Sequence, residues 1–182
     1  MTARLRAAVI GVGYLGKFHA QKYAGRDDVD LVAVVDSDLV RAGEVAQAQR
    51  TRAESDYRHL FGAVDCASLA VPTPLHFAIA ADLLEHGIDV LVEKPMTENV
   101  ADGRRLVDIA ERGGRILQVG HLERFNPAIR ALAGMIRQPR FIECHRLAPF
   151  GERGTDVDVI LDLMIHDLDV ILSLVGADVQ NV

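Results

Sequence analysis

Lys94 occupies a position at which a lysine can take part in chemistry. It follows a short apolar stretch, 89–92, and lies between Glu93 and Pro95. Pro95 disfavours a helical conformation at the residue before it, so we expect Lys94 in an extended segment. An ammonium held there could donate a hydrogen bond to a substrate hydroxyl and stabilise the alkoxide that develops as a hydride leaves. A surface lysine paired with Glu93 fits the same spacing equally well.

A second set of reactive side chains belongs to the apolar segment 156–175, which is predicted to form a helix. From Asp158 onward its polar residues, apart from Asp167, recur at steps of three or four and therefore share one face. The residues of this polar face are Asp158, Asp162, His166, Asp169 and Ser173. Asp162 and His166 are one turn apart, so the histidine could accept a hydroxyl proton while the aspartate orients the substrate or the imidazole. A buried Asp–His pair with a purely structural role is the alternative.

The third candidate is the glycine-rich loop 11–16, GVGYLG, which follows a predicted strand and opens a predicted helix. In this setting Gly11 permits a tight turn, Gly13 allows a pyrophosphate to approach the backbone, and Gly16 lets the helix and strand pack closely. The N–H groups at the start of the helix would bind the phosphates. The loop therefore predicts a dinucleotide site, contacted by Gly11, Gly13, Tyr14, Leu15 and Gly16.

Asp36 supports the same site from a different part of the sequence. It ends the second predicted strand about twenty residues after the loop, where an acidic side chain accepts hydrogen bonds from the ribose hydroxyls. A carboxylate there repels a 2′-phosphate, so NAD is favoured over NADP as the cofactor. Arg41 lies close enough to weaken that preference, and a solvated turn aspartate is the alternative interpretation.

These residues require a scaffold that brings distant segments together. Apolar runs at 6–10, 29–35, 66–71, 89–92 and 116–119 read as buried strands, and they alternate with helices predicted at 14–23, 39–49, 74–85 and 99–112. This alternation indicates a parallel sheet covered on both faces, a doubly wound α/β fold of the Rossmann type over 1–121. We expect the beginning of a second α/β domain over 122–182, with a strand at 140–147 before the helix at 156–175.

Composition and charge exclude several classes of function. The net charge of −6 leaves no basic footprint, which argues against nucleic acid as a partner. No apolar run approaches the ~20 residues that cross a bilayer, and no secretory signal precedes the first strand. Cys66 and Cys144 are far apart and belong to no CxxC motif, which favours a cytoplasmic protein. His121, His145 and His166 lack metal-ligand spacing, so we predict no metal site.

Together the motifs resemble the Gfo/Idh/MocA oxidoreductases, the family of glucose-fructose oxidoreductase and inositol dehydrogenase. The likeness is carried by Asp36 and by the stretches GVGYLG at 11–16, VPTPLH at 71–76, EKP at 93–95, GHLERFNP at 120–127 and DLMIHDLD at 162–169. The resemblance implies hydride transfer between a nicotinamide and a hydroxyl-bearing carbon of a sugar, cyclitol or sugar nucleotide. The GHLERFNP stretch is most similar to members that act on nucleotide-linked amino sugars.

The resemblance also implies roles for individual residues. Lys94 would be the catalytic lysine, with Asp162 and His166 as the substrate-binding and acid–base pair. Arg124 would contact the substrate. The residues implied to lie beside the cofactor are Pro72, Thr73, His76 and Glu93.

Members of this family are usually longer than this chain of 182 residues, so we expect 122–182 to be a partial substrate and oligomerisation domain. The leading hypothesis is an NAD-dependent dehydrogenase acting on a sugar or sugar nucleotide, and the family implies a homo-oligomer. One alternative is a non-catalytic NAD-binding module or an inactive fragment of such an enzyme. A related reductase acting on a carbon–carbon or imine bond is another.

Overall fold

The computed structural model describes residues 3–147 and 158–182. The chain divides into two compact units, Met1–Val119 and Gly120–Val182. Among the described residues, no helix is both long enough and apolar enough to span a lipid bilayer.

The first unit is a six-stranded parallel sheet with helices between its strands. The strands are β1 Leu5–Ile10, β2 Val29–Val35, β3 Arg52–Glu54, β4 Cys66–Leu69, β5 Asp89–Val92 and β6 Leu117–Val119. The helices are α1 Gly16–Ala24, α2 Leu39–Gln49, α3 His76–Glu85 and α4 Val100–Gly113, with short 3₁₀ turns at Tyr57–Leu60 and Thr73–Leu75. The sheet order is β3-β2-β1-β4-β5-β6, which confirms the predicted doubly wound fold.

Side chains of the central strand β1 alternate between the two faces of this sheet, and each face has its own core. Ile10 packs in one cluster with Leu83 of α3 and Leu106 of α4. Val9 points the other way and packs with Ala20 of α1. Strands that are buried on both faces are mostly apolar, which explains why the runs were recognisable in the sequence.

The helix ends also follow local chemistry. The Asp38 carboxylate accepts hydrogen bonds from the N–H groups of Val40 and Arg41 at 3.0 and 3.2 Å, so α2 begins directly after it. The Asn99 side chain accepts from the N–H of Asp102 at 2.9 Å at the start of α4. Gly114 ends α4 with a left-handed conformation, φ +59°.

β3 is the strand that the sequence pattern did not predict. It pairs in parallel with β2 at the edge of the sheet, Ala33 opposite Arg52 and Val35 opposite Glu54. Its three residues include two charged side chains, and an edge strand of this length leaves no apolar run in the sequence.

In the second unit the described elements are helical. They are a 3₁₀ turn Leu122–Phe125, α5 Pro127–Ala133, a π-helical turn Ile160–Met164 and α6 Ile165–Val175. The helix predicted at 156–175 is therefore present from 159 onward, and 156–157 lie outside the described residues.

The strand predicted at 140–147 is wrong, because this segment has no regular secondary structure. Phe141 and Leu147 are 82% and 93% exposed, so the apolar side chains that suggested a strand are not buried. A strand requires a neighbour for its backbone hydrogen bonds, and the described residues of the second unit contain no strand that could provide one.

Candidate active site

The glycine loop has the geometry that a dinucleotide requires. Gly11 adopts φ +79°, and a Cβ there would lie 2.6 Å from the carbonyl oxygen of Ala70. A Cβ on Gly16 would overlap the carbonyl oxygen of Gly11, so α1 can approach β1 only with glycine at this position. A Cβ on Gly13 would meet no atom within 4 Å, which leaves the backbone open to a ligand from that side.

The start of α1 carries no neutralising group. Among the described residues, no side chain caps this helix and no acidic residue lies in its first turn. The exposed N–H groups and the positive end of the helix dipole therefore attract an anion such as a pyrophosphate. Tyr14 and Leu15, just before the helix, are 56% and 37% exposed and lie on the surface of the loop.

Asp36 follows β2 directly and its side chain is buried. One carboxylate oxygen accepts the N–H of Val12 in the glycine loop at 3.0 Å, and the other accepts the N–H of Asp38 at 3.0 Å. The guanidinium of Arg41 lies 3.4 Å from both oxygens and is half-exposed. The backbone N–H groups hold the carboxylate rigidly, and a ribose hydroxyl would take the place of the long contact with Arg41 on either oxygen.

The segment after β4 contains three of the residues implied by the family resemblance. Pro72 is exposed and Thr73 is buried at the start of the short 3₁₀ turn. His76 is only 1% exposed, and its two ring nitrogens lie 2.9 Å from the carbonyl oxygen of Val71 and 2.8 Å from that of Pro95. The imidazole of His76 therefore joins two backbone segments inside the protein.

Glu93 and Lys94 follow β5. Glu93 is buried, and its carboxylate accepts a hydrogen bond from Nε2 of His19 on α1 at 3.0 Å. Lys94 is half-buried and is joined to Pro95 by a cis peptide bond. The Glu93 side chain is only 7% exposed, and both roles of Lys94, as a catalytic residue or as a lysine paired with Glu93, stay predictions.

Sequence reasoning missed His19. The signal that could have found it is its spacing, because it lies three residues after Gly16 and one before the buried Ala20, on the sheet-facing side of α1. A polar imidazole among such small buried residues needs a partner, and Glu93 supplies it.

The register of the sheet brings these residues together at the carboxyl ends of its strands. Ile10 at the end of β1 lies opposite Val35 of β2 and Leu69 of β4, and Leu69 lies opposite Val92 of β5. Four neighbouring parallel strands therefore end level with one another. The positions that follow them are Gly11, Asp36, Ala70 and Glu93. The chain reverses direction across the sheet between β1 and β4, which is where ligands bind in folds of this kind.

Cys66 is the first residue of β4 and therefore lies at the opposite end of the strands from these positions. Burial raises the pKa of its thiol to about 11, so the thiol stays protonated at neutral pH and is a poor nucleophile.

In the second unit, Asp162 and His166 lie one turn apart and are both half-buried. Asp169, one turn further, is buried and is bound by two nitrogens of Arg124, with Nε 2.7 Å and Nη2 2.5 Å from carboxylate oxygens. This contact raises the pKa of the Arg124 guanidinium. Arg146 binds Asp167 at 2.8 Å and lowers the pKa of that carboxyl group. Two of the acidic groups of α6 are thus neutralised by arginine.

Comparison with known proteins connects this geometry to named relatives. UDP-N-acetylglucosamine 3-dehydrogenase of Acidithiobacillus ferrooxidans is 44% identical over 98% of this chain and 56% of its own length. Inositol 2-dehydrogenase 4 of Saccharopolyspora erythraea is 33% identical over 98% of this chain and 56% of its own length. This chain therefore spans little more than half the length of these curated relatives.

Solved structures agree with the fold. A crystal form of the Acidithiobacillus ferrooxidans UDP-N-acetylglucosamine 3-dehydrogenase matches with a TM-score of 0.91 and 42% identity over 99% of this chain and 59% of that chain. GenD2 from gentamicin A biosynthesis, solved in complex with NAD, matches with a TM-score of 0.85 over 97% of this chain and 55% of that chain; at 24% identity it supports the fold alone.

The profile of the oxidoreductase family with the NAD-binding Rossmann fold matches residues 5–121, which include the glycine loop, Asp36 and the Glu93–Lys94 segment. This match confirms the resemblance that the motifs indicated. The chain belongs to the Gfo/Idh/MocA oxidoreductase family.

Proposed function

We propose that this protein is an NAD-dependent dehydrogenase that transfers a hydride between the nicotinamide and a hydroxyl-bearing carbon of a sugar or sugar nucleotide. The observation that carries the proposal is that the carboxyl ends of four neighbouring strands lie level with one another. The glycine loop, Asp36 and the Glu93–Lys94 segment each follow one of these ends. Binding of the phosphates by the loop and of the ribose by Asp36 extends the dinucleotide along the edge toward Lys94.

The proposed dinucleotide contacts are those of the loop, of Asp36 and of the segments after β4 and β5. They are Gly11, Gly13, Tyr14, Leu15, Gly16, Asp36, Pro72, Thr73 and Glu93. His76, which the resemblance placed beside the cofactor, is proposed to act by holding the backbone of Val71 and Pro95, because both of its ring nitrogens contact carbonyl oxygens.

NAD is preferred over NADP in this proposal because of the charge on Asp36. A 2′-phosphate would have to lie against a buried carboxylate whose two oxygens are already fixed by backbone N–H groups. Arg41 is the group that could favour the phosphate, and Asp36 and Asp38 hold its guanidinium at 3.4 Å.

Asp36→Ser is expected to change the ratio of the dissociation constants for NAD and NADP by about 100-fold in favour of NADP. The substitution removes the acceptor for the ribose hydroxyls and releases Arg41 to bind a 2′-phosphate. Calorimetric titration of the protein with each cofactor measures the two dissociation constants. Adding Arg41→Ala should abolish the gain for NADP, and an unchanged ratio in Asp36→Ser would show that Asp36 does not contact the ribose.

The proposed chemistry divides between Lys94, Asp162 and His166. NAD held by the glycine loop and Asp36 would supply the hydride acceptor for the substrate carbon. His166 takes the hydroxyl proton, Asp162 orients the substrate or the imidazole, and the Lys94 ammonium stabilises the oxygen as its negative charge develops. The products are the carbonyl compound and the reduced nicotinamide, with the proton on the histidine.

The substrate class is proposed from the relatives. UDP-N-acetylglucosamine 3-dehydrogenase is more similar to this chain than the inositol dehydrogenase is, 44% against 33% identity. Arg124 is proposed as a substrate contact because its guanidinium is half-exposed while Asp169 fixes its orientation.

The test is to incubate the protein with NAD and either UDP-N-acetylglucosamine or myo-inositol and to follow the absorbance of NADH. Turnover of the sugar nucleotide supports the full proposal, and turnover of myo-inositol alone would revise the substrate class. Calorimetry that shows NAD binding without turnover of either substrate would favour a non-catalytic NAD-binding module instead. That the protein forms a homo-oligomer and that it is located in the cytoplasm both stay predictions.

His166→Asn is expected to lower the rate of alcohol oxidation by about 10³-fold, because asparagine cannot accept the hydroxyl proton at neutral pH. Steady-state rates with saturating NAD measure the effect. His145→Asn is the matched control, since His145 is 72% exposed in the same unit. Full activity in His166→Asn would remove His166 from the mechanism, whereas loss of alcohol oxidation would exclude a reductase acting on a carbon–carbon or imine bond.

A further inference from the structure

The segment Glu93–Lys94–Pro95 is held on both sides by histidines from other parts of the first unit. His19 of α1 binds the Glu93 carboxylate at 3.0 Å, and His76 at the start of α3 lies 2.8 Å from the carbonyl oxygen of Pro95. Lys94 stands between these two attachment points. Both anchors come from elements distant in sequence, 74 and 19 residues away.

The contact between His19 and Glu93 is shielded from water. The His19 side chain is 13% exposed and the Glu93 side chain 7%. A carboxylate this deeply buried is costly unless it is hydrogen-bonded, and Nε2 of His19 provides such a bond at 3.0 Å. The helix that carries His19 is also the helix whose N-terminus faces the glycine loop, so the contact joins the phosphate-binding element to the segment that bears the lysine.

We propose that His19 is a positioning residue for Lys94, acting through the Glu93 carboxylate. The inference rests on the proposed function in one respect, that Lys94 is the lysine used in hydride transfer. His19 orients the Glu93 carboxylate through the hydrogen bond from Nε2, and Glu93 in turn fixes the backbone from which Lys94 extends. His76 supports the same segment at Pro95 but does not touch the carboxylate.

The proposal predicts a measurable change in the reactivity of Lys94. Without His19 the buried carboxylate loses the hydrogen bond from Nε2, and its lone pairs become available to the neighbouring ammonium. An amine that is held in an ion pair reacts slowly with acylating reagents, so Lys94 should become less reactive at a fixed pH near neutrality.

The chain suits such a measurement because its lysines are only Lys17, Lys22 and Lys94. Lys17 and Lys22 are exposed on α1 and serve as internal standards. We expect His19→Leu to slow acetylation of Lys94 about three-fold relative to both standards, measured by peptide mass spectrometry after brief exposure to acetic anhydride. His19→Gln keeps a donor near the place of Nε2 and should restore the reactivity of wild type.

Two controls separate positioning from a general effect on structure. His59 forms a comparable pair with Glu54, 2.8 Å apart, on the exposed surface of the same unit, so His59→Leu should leave Lys94 unchanged. In a Glu93→Gln background no carboxylate charge is left uncompensated, so adding His19→Leu should have no further effect on Lys94. Circular dichroism establishes that each variant is folded.

An unchanged Lys94 reactivity in His19→Leu, an equal change in His59→Leu, or a loss that persists in the Glu93→Gln background would overturn the proposal. Should His19→Leu not fold, Glu93→Gln alone decides, because removal of the carboxylate is expected to speed acetylation of Lys94 and an unchanged rate contradicts the assignment. The labelling needs neither cofactor nor substrate, so its outcome is independent of whether the protein proves to be a dehydrogenase.

In the active protein, His19→Leu should lower kcat about ten-fold and leave the KM for NAD within about two-fold, since it displaces the lysine and not the phosphates. A change confined to the KM for NAD would place His19 in cofactor binding and contradict a positioning role.

Discussion

Lys94→Ala is expected to slow hydride transfer by about 10²- to 10³-fold while NAD binds with unchanged affinity. Lys94 is half-buried and directly follows Glu93 after β5, and its ammonium is proposed to stabilise the charge that develops on the substrate oxygen. That interaction strengthens in the transition state, so its loss should appear mainly in kcat. The measurement is the rate of NADH formation with saturating NAD and UDP-N-acetylglucosamine, together with calorimetry of NAD binding.

Lys22→Ala is the matched control, because Lys22 lies on the exposed side of α1. Lys94→Arg should also be slow, since a planar guanidinium does not reproduce the compact ammonium. If Lys94→Ala retained wild-type turnover, the mechanism proposed for this site would be wrong, although the assignment of the dinucleotide site would stand.

The second large effect is expected at Gly16, whose replacement should destabilise the protein itself. In Gly16→Ala the new methyl group would overlap the carbonyl oxygen of Gly11, so either the loop or α1 has to shift. We expect a loss of about 3 kcal/mol or more in the free energy of unfolding. Urea unfolding followed by circular dichroism measures it.

Gly13→Ala provides the contrast within the same loop. A Cβ at Gly13 meets no protein atom within 4 Å, so the free energy of unfolding should change by less than about 1 kcal/mol. The methyl group would instead occupy the side from which the pyrophosphate approaches, and NAD binding should weaken about 100-fold. Equal destabilisation by the two substitutions, or normal NAD binding by Gly13→Ala, would contradict the assigned roles.

The parts of this molecule that could be predicted from sequence are those that depend on short-range patterns. The parallel strands were recognisable because burial on both faces leaves an apolar run, as at 31–35. The glycine loop was recognisable because each glycine answers a separate steric requirement. Asp36 was found by its distance from that loop. None of these required knowledge of which distant segments touch.

The features that were missed or wrong depend on partners far away in the chain. β3 is a strand only because its backbone can pair with β2. Its three residues show no hydrophobic pattern that would predict a strand. The segment 140–147 has an apolar pattern but no strand beside it among the described residues. The His19–Glu93 contact spans 74 residues and the Arg124–Asp169 contact spans 45, so neither could be deduced from local spacing.

Because the carboxyl ends of β2, β1, β4 and β5 lie level, the spacing of the strands fixes the distance that a ligand has to span. Neighbouring strands lie about 4.8 Å apart, so the ends of β2 and β5 are separated by about 14 Å. A molecule bound at Asp36 must therefore be long and extended before its far end can reach the segment that carries Lys94. Substitutions in the surrounding helices can alter how tightly such a ligand is held, but the distance it has to span is set by the number of strands between the two positions.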